Sequence, residues 1–180
     1  MNLRKVYIIT SIPGKGKTTF LSELATLLKR GNIAVGGLLE RGEWKNGERS
    51  GFNLEDLSTG KTMPLATVMK KKSWKKLGKF YFNPDSVSYG NILLQGNEIL
   101  KNEVIILDEI GPLEINGELW ARGLTRITEK FRGILILSVR QNLVKKVTEY
   151  WHLPEPETID ITEEDPCQAR DSIQQYLEQR

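Results

Sequence analysis

The chain has 180 residues, of which 39% are hydrophobic, and 26 basic side chains nearly balance 23 acidic ones to give a net charge of +3. This length predicts one domain over residues 1–180 with a core that buries roughly 70% of the unfolded surface. One cysteine and one histidine exclude an internal disulfide and a multi-cysteine metal site, and leave almost nothing for zinc ligation or Ser-His-Asp catalysis. The small net charge does not by itself indicate a nucleic-acid partner.

The N-terminal region has the pattern of a βαβ unit. Residues Arg4 to Thr10 read as a buried strand, Lys17 to Arg30 carry apolar side chains at helical spacing, and Ala34 to Leu39 predict the next strand. The apolar run from Val6 to Ile9 is too short for a signal peptide or a membrane span, so a cytoplasmic location is expected.

The sequence pattern in the middle of the chain is that of antiparallel strands. Asn46-Gly47 stands between two extended stretches, a strong indication of a tight hairpin turn, and residues 34–66 therefore predict an antiparallel meander within the domain. Residues 67–85 are basic and poorly patterned. A helix is expected from Asp85 or Ser86 to about Leu100, with Ser86 as its N-terminal cap.

The last third alternates between strand and helix patterns. The predicted elements are a strand at residues 103–109, a helix from Glu118 to Phe131, a strand at 133–138, a helix from Gln141 to about Trp151, a strand from Thr158 to Ile161 and a final helix opening with a capping pattern at Thr162. Such alternation predicts an α/β protein with three layers, in which a mostly parallel sheet is covered on both faces.

The loop after the first strand matches a phosphate-binding motif. Residues Ser11 to Thr18 fit G-x-x-x-x-G-K-[ST], a P-loop, except that serine replaces the first glycine. Backbone N–H groups from about Gly14 to Thr19, the helix N-terminus and the Lys17 ammonium would hold the phosphates, and the Thr18 hydroxyl would ligate Mg²⁺. The predicted nucleotide-binding residues are Ser11, Ile12, Pro13, Gly14, Lys15, Gly16, Lys17, Thr18 and Thr19.

A second motif ends the strand at residues 103–109 in Asp108-Glu109. Because the carboxyl ends of strands meet at one edge of an open sheet, this acidic pair is expected beside the P-loop. Asp108 suits Mg²⁺, held through a water or through Thr18, and Glu109 suits the base that takes a proton from water attacking the γ-phosphate. Asp108 to Gly111 also fits the D-x-x-G of small GTPases, but the guanine-reading N/T-K-x-D is absent from the sequence.

Three arginines are further candidates. Arg140 closes the strand after the acidic pair, where it could stabilise the transferring phosphoryl group as a catalytic residue or be an ordinary surface arginine. Arg41 and Arg49 lie in the predicted hairpin, where they could reach a nucleotide. Charged side chains at sheet edges also prevent aggregation, and the favoured interpretation is that both arginines have this role.

Residues 70–79 contain six lysines and Trp74. Lysines beside an aromatic side chain can grip single-stranded nucleic acid, although a solvated basic loop is the favoured interpretation. His152 and Cys167 are expected to be structural bystanders. A stripe of Trp120, Leu124, Ile127 and Phe131 is expected in the core.

Several motifs together resemble a known family. They are the P-loop, RSGFNLEDLSTG at 49–60, GKFYFNP at 78–84, DEIGPLE at 108–114 and SVRQNLVKKV at 138–147. The chain resembles the small THEP1-type P-loop nucleoside-triphosphatases, which include the human cancer-related NTPase. The resemblance implies a RecA/AAA-like fold and slow, Mg²⁺-dependent hydrolysis of several nucleoside triphosphates, with Lys17, Thr18, Asp108 and Glu109 in the roles above. Glu114 also matches the pattern, and its role is open.

Two other functions fit part of the same sequence. A P-loop kinase would pass the γ-phosphoryl group to a small acceptor, although such enzymes usually carry an arginine-rich lid and residues 67–82 are lysine-rich. A nucleotide-dependent adaptor with a basic nucleic-acid-binding loop would bind the nucleotide without turnover, and would have no need for Glu109 as a base.

Overall fold

A computed structural model describes residues 5–12 and 14–179. The strands are β1 Lys5–Ser11, β2 Val35–Lys45, β3 Glu48–Asp56, β4 Thr62–Thr67, β5 Lys75–Leu77, β6 Phe80–Phe82, β7 Val104–Leu107, β8 Ile134–Arg140 and β9 Glu157–Asp160. The helices are α1 Lys17–Arg30, α2 Pro84–Gln95, α3 Pro112–Ile115, α4 Ala121–Lys130, α5 Val144–Tyr150 and α6 Pro166–Glu178. Short 3-10 turns cover Glu98–Lys101 and Gln141–Leu143.

Over the described residues, nine strands form one sheet in the order β5-β6-β4-β3-β2-β7-β8-β1-β9. Strands β2, β7, β8, β1 and β9 run parallel to their neighbours in this set, whereas β3, β4, β6 and β5 extend the sheet from β2 in antiparallel fashion. The expectation of a mostly parallel sheet is therefore corrected to a mixed sheet. The predicted βαβ unit and the antiparallel meander are both present.

Strands β1, β7 and β8 and the first half of β2 are buried on both faces, which explains their apolar runs, whereas β9 at the sheet edge is largely exposed. In β7, Ile105 and Leu107 face one hydrophobic cluster, whereas Val104 and Ile106 face another. One cluster includes side chains of α2, α4 and α5, and the other includes those of α1 and α6. The three-layer prediction is thereby confirmed, as is the buried stripe that starts at Trp120.

The basic stretch after the meander is more ordered than its sequence pattern indicated. Its last part forms β5 and β6, which pair with each other, and β6 pairs with β4. The pattern is hard to read because β5 is the outermost strand and most of its side chains are exposed. Lys75 there forms an ion pair with Glu118 at 2.7 Å.

Two helix starts differ from prediction because a different side chain caps each helix. Helix α2 is capped by Asn83, whose side chain accepts from the Asp85 N–H at 3.1 Å, while Ser86 is buried and donates to the Pro64 carbonyl at 2.7 Å. It ends at Gln95 rather than near Leu100. Helix α6 starts after Asp165, whose side chain accepts from two backbone N–H groups in a capping box, rather than at Thr162.

Other boundaries move by a few residues. The helix expected from Glu118 begins at Ala121, and the one expected from Gln141 starts as a 3-10 turn. Strand β2 continues to Lys45 because it runs straight into the hairpin, where Asn46 and Gly47 both have positive φ. Arg4 lies outside the described residues. No helix within the described residues is long and apolar enough to cross a membrane.

Candidate active site

The P-loop connects β1 to α1 and requires glycine at two positions. Gly14 has φ 80° and Gly16 has φ 97°, a left-handed backbone that side chains disfavour. Ser11, at the position of the motif's first glycine, lies at the end of β1, and its hydroxyl donates to the Ile12 carbonyl at 2.9 Å. The extended backbone of the strand therefore accommodates serine without strain. Pro13 lies outside the described residues.

The loop opens onto a cavity of about 390 Å³, which we call the P-loop cavity. It is lined by the loop (Gly14 and residues 16–19), the β2–β3 hairpin (Arg41, Gly42, Trp44 and Arg49) and Glu109. Lys17 is only 5% exposed and forms no ion pair with any described residue. A buried, unpaired ammonium in a cavity is suited to an anionic ligand.

Asp108 connects the end of β7 to the P-loop. The Thr18 hydroxyl donates to Asp108 Oδ2 at 2.7 Å, and the Glu40 N–H donates to the same oxygen at 3.2 Å. The Ser138 hydroxyl donates to Asp108 Oδ1, as does the Glu109 N–H at 2.9 Å. Burial raises the pKa of Asp108, the charge of Glu109 adds to the rise, and the hydrogen bonds from Ser138, Thr18 and Glu40 oppose it.

Glu109 lines two cavities. One is the P-loop cavity, and the other, the second cavity, has a volume of about 270 Å³. The Glu109 backbone has φ 55°, and its N–H also donates to Ser138 Oγ at 2.9 Å. A glutamate in this left-handed region costs of order 1–3 kcal/mol, and such strain concentrates at functional sites. The turn allows the side chain to leave the buried strand for the cavities.

Because of this strain, a substitution of Glu109 can stabilise the fold while it removes the functional side chain. Glu109→Asn should raise the free energy of unfolding by up to about 1 kcal/mol, because asparagine tolerates positive φ, while any activity that needs this carboxylate is lost. Glu155 offers a matched control, since it is exposed and has φ 34°. Glu155→Asn should gain similar stability and keep activity. Denaturant unfolding of both variants beside the parent protein would measure the stability change, and a destabilised Glu109→Asn would contradict the strain argument.

Two buried carboxyl groups that line the second cavity, Glu40 and Glu114, lie next to this site. Glu40 Oε1 accepts from the Trp120 indole N–H at 2.7 Å, and Glu114 Oε2 accepts from the Gly111 N–H at 2.9 Å. Burial raises the pKa of Glu40 well above its usual range, and Glu114 adds to the rise. Burial also raises the pKa of Glu114 to about 7, against the opposing hydrogen bond from Gly111.

Glu114 should make stability depend on pH. Its folded-state pKa of about 7 exceeds the ordinary 4.5, so its stabilising contribution is complete below about pH 4.5 and is lost as pH rises through 7. Glu114→Gln removes this loss and should raise the free energy of unfolding at pH 8 by roughly 2–3 kcal/mol relative to the parent, with little gain at pH 4.5. Denaturant unfolding at the two pH values measures this. The exposed Glu163→Gln is the control, and an unchanged pH slope in Glu114→Gln would contradict the prediction.

The arginine candidates divide between the two cavities. Arg41 and Arg49 line the P-loop cavity, whereas Arg140, in register with Ser11 on β1, lines the second cavity. Arg41 is paired with Glu55 and donates to Ser22 Oγ at 2.7 Å. The Arg49 guanidinium lies 4.6 Å from the ring centroid of Trp44 and 4.9 Å from that of Phe52, and has no carboxylate partner among the described residues.

Two of these groups, Glu40 and Trp44, are not indicated by the sequence patterns described above. Glu40 follows the predicted strand that ends at Leu39, and a carboxylate at a strand end is the signal that had identified Asp108. Trp44 belongs to no recognisable motif, so no sequence signal identifies it. Neither Cys167 nor His152, both exposed, lines the P-loop cavity or the second cavity.

Comparison with known proteins agrees with this geometry. A family model described as NTPase matches residues 6–177. The chain belongs to the NTPase family. This NTPase is 31% identical over 128 residues to the nucleoside-triphosphatase THEP1 of Methanosarcina acetivorans, an alignment that covers 71% of each chain. It is 30% identical over 155 residues to THEP1 of Pyrococcus abyssi, covering 83% of this chain and 84% of that one.

Solved structures show the same fold. The solution structure of a human cancer-related nucleoside triphosphatase aligns with a TM-score of 0.69 at 20% identity, covering 96% of this NTPase and 97% of that chain. The crystal structure of THEP1 from Aquifex aeolicus aligns with a TM-score of 0.58 at 23% identity, covering 86% and 88%. The predicted family, the THEP1-type nucleoside-triphosphatases, is confirmed.

Proposed function

We propose that the protein hydrolyses nucleoside 5'-triphosphates to diphosphate and phosphate, slowly, with Mg²⁺ and with broad base tolerance. The observation that carries the proposal is the hydrogen bond between Thr18 and Asp108, because it joins the P-loop to the acidic strand end, with Glu109 lining the same cavity. Slow turnover follows from the resemblance, and broad tolerance from the lack of a guanine-reading motif. A cytoplasmic location and a single domain over residues 1–180 remain predictions.

The nucleotide site is residues Ser11 to Thr19. Backbone N–H groups at the start of α1 would bind the phosphate oxygens together with the Lys17 ammonium, which has no other charged partner among the described side chains. Gly14 and Gly16 are required for their left-handed backbone and not for lack of space, since a Cβ at either position meets nothing within 4 Å.

Thr18 and Asp108 fit a magnesium site. They bring two oxygen atoms within 2.7 Å of each other, and Mg²⁺ commonly takes one or two protein oxygens together with substrate phosphates and water. Among the described residues, no three acidic, histidine or cysteine side chains are arranged so that they could hold a metal ion. The bound ion would neutralise charge on the β- and γ-phosphate oxygens.

Glu109 is the proposed base. A water placed between its carboxylate and the γ-phosphorus would give up a proton to the carboxylate as it attacks, and the nucleoside diphosphate would leave. Lys17 and an arginine would stabilise the transferring charge. Arg140 is the candidate from sequence, and Arg49 joins it because its guanidinium lines the P-loop cavity. The order β7-β8-β1, with β8 between the two motif strands, supports a RecA/AAA-like arrangement.

Phosphate release from ATP, GTP, CTP and UTP tests the proposal, with Mg²⁺ present and no acceptor. Release from all four is expected, with loss when the metal is chelated. Lys17→Ala serves as the control that removes the phosphate-binding cation. Tight nucleotide binding without any phosphate release would contradict hydrolysis and favour the adaptor.

A further inference from the structure

The second cavity has a position that hydrolysis alone does not explain. Among the described residues, Glu109 is the only one that lines both this cavity and the P-loop cavity. A group bound in the second cavity would therefore meet the same carboxylate that faces the phosphates. Water needs about 30 Å³ in the liquid, so a volume of about 270 Å³ is far more than one attacking water requires.

One side of this cavity is aromatic. Phe52, Phe80 and Phe82 line it, and the rings of Phe52 and Phe80 pack edge to face with centroids 5.0 Å apart. Aromatic walls favour a flat ring in the ligand, since offset and edge-to-face contacts add to the burial of apolar area. The volume lies just below the roughly 300–1,000 Å³ typical of small-molecule sites, which points to a compact ligand.

The other side presents buried carboxyl groups. Glu40 is 5% exposed and uses Oε1 for the Trp120 indole, while its Oε2 has no hydrogen bond to any described residue. This oxygen is therefore left to exchange a hydrogen bond with a hydroxyl or amino group in the cavity. Lys79 and Arg140 also line the cavity and would favour a phosphorylated product.

We propose that the second cavity binds a small, uncharged ring compound carrying a hydroxyl group, and that the enzyme transfers the γ-phosphoryl group of a nucleoside triphosphate to that hydroxyl. This inference rests on the proposed function, because the triphosphate must occupy the P-loop cavity. The hydroxyl oxygen forms a bond to the γ-phosphorus, the bond from that phosphorus to the β–γ bridging oxygen breaks, and the nucleoside diphosphate leaves. Glu109 takes the hydroxyl proton, as a carboxylate does in other phosphoryl transfers to alcohols. Without an acceptor, water takes its place.

The experiment incubates the full-length protein with Mg²⁺ and ATP labelled on the γ-phosphorus, together with cytidine, uridine, thymidine or pyridoxine in turn. Label in free phosphate and in organic phosphate is measured in the same sample. At least one of these four probes should acquire label. Leu77→Trp, which fills the second cavity, should lower the ratio of transferred label to free phosphate roughly 10-fold. Met69→Trp is the control, since Met69 is exposed and outside both cavities.

The outcomes separate this inference from the proposed function. Free phosphate with no label in any of the four probes overturns phosphoryl transfer and leaves hydrolysis standing. Transfer that Leu77→Trp leaves unchanged also overturns the inference, because the acceptor would then bind outside this cavity. Neither free phosphate nor transferred label, with nucleotide bound, means that the proposed function itself has failed.

Discussion

Glu109→Gln should reduce phosphate release by about 10²–10⁴-fold, the usual contribution of a general base. Glutamine preserves the size of the side chain and the backbone N–H that bonds Asp108 and Ser138, but it cannot accept the proton from the attacking water. Nucleotide binding should change little, because Lys17 and the P-loop backbone remain intact. The expected result is thus a protein that holds the nucleotide and barely turns it over.

Steady-state phosphate release and the affinity for a fluorescent nucleotide, measured on the same preparation, check this result. Glu118→Gln is a suitable control, since Glu118 lies outside both cavities and pairs with Lys75. Equal release by Glu109→Gln and the parent protein would remove Glu109 as the base. Glu114, whose carboxyl group lines the second cavity, would then be the next candidate.

Arg49→Ala should lower the turnover number by about 10³-fold, at the lower end of the effect of an arginine that stabilises a transferring phosphoryl group. The guanidinium is held between Trp44 and Phe52 and lines the P-loop cavity without a carboxylate partner among the described residues. Arg140→Ala should have a smaller effect, since Arg140 lines the second cavity. Affinity for the nucleotide should change much less than turnover in both variants.

Single-turnover hydrolysis separates these arginines, with Arg122→Ala, an exposed position on α4, as the control. Gly42→Ala provides an independent check, because its Cβ would lie 2.7 Å from the Arg49 Cζ and displace the guanidinium. This variant should reproduce part of the Arg49→Ala defect. A larger loss in Arg140→Ala than in Arg49→Ala would reverse the assignment and make Arg140 the charge-stabilising residue.

Local patterns were sufficient to predict the motifs. The P-loop needs a strand, two glycines at positive φ, a lysine and a helix in immediate succession, so the local sequence is sufficient to predict it. Asp108 followed from the rule that strand ends meet at one edge, and its hydrogen bond to Thr18 agrees with that expectation. Apolar spacing predicted the βαβ unit, and the Asn46-Gly47 turn predicted the hairpin.

Long-range contacts account for most of what the sequence did not show. Strands β5 and β6 exist because β4 offers them an edge, and no property of residues 75–82 alone reveals it. The sequence favours an edge charge at Arg49, and only the fold shows that Arg49 also lines the P-loop cavity. Glu40 is paired with Trp120, 80 positions away, and a single sequence gives no indication of that pair.

The starts of two helices were hard to predict because more than one nearby residue could serve as the N-terminal cap. Thr162 and Asp165 both fit N-terminal cap patterns, but Thr162 bonds Asp160 instead, and Pro166 is well placed in the first turn of α6. At α2, Asn83 and Ser86 were both possible caps, and Pro84 again follows the residue that caps the helix. In both cases the proline would have identified the cap.

In the proposed function, water attacks the γ-phosphorus of a triphosphate held in the P-loop cavity. Hydrolysis of ATP in water enriched in oxygen-18, without any acceptor, followed by phosphorus NMR of the products, tests it most directly. We predict that the solvent oxygen appears in inorganic phosphate and that the diphosphate carries none. Solvent oxygen in the nucleotide product, or release of pyrophosphate, would place the attack at another phosphorus and contradict the roles assigned to Glu109, Lys17 and Thr18.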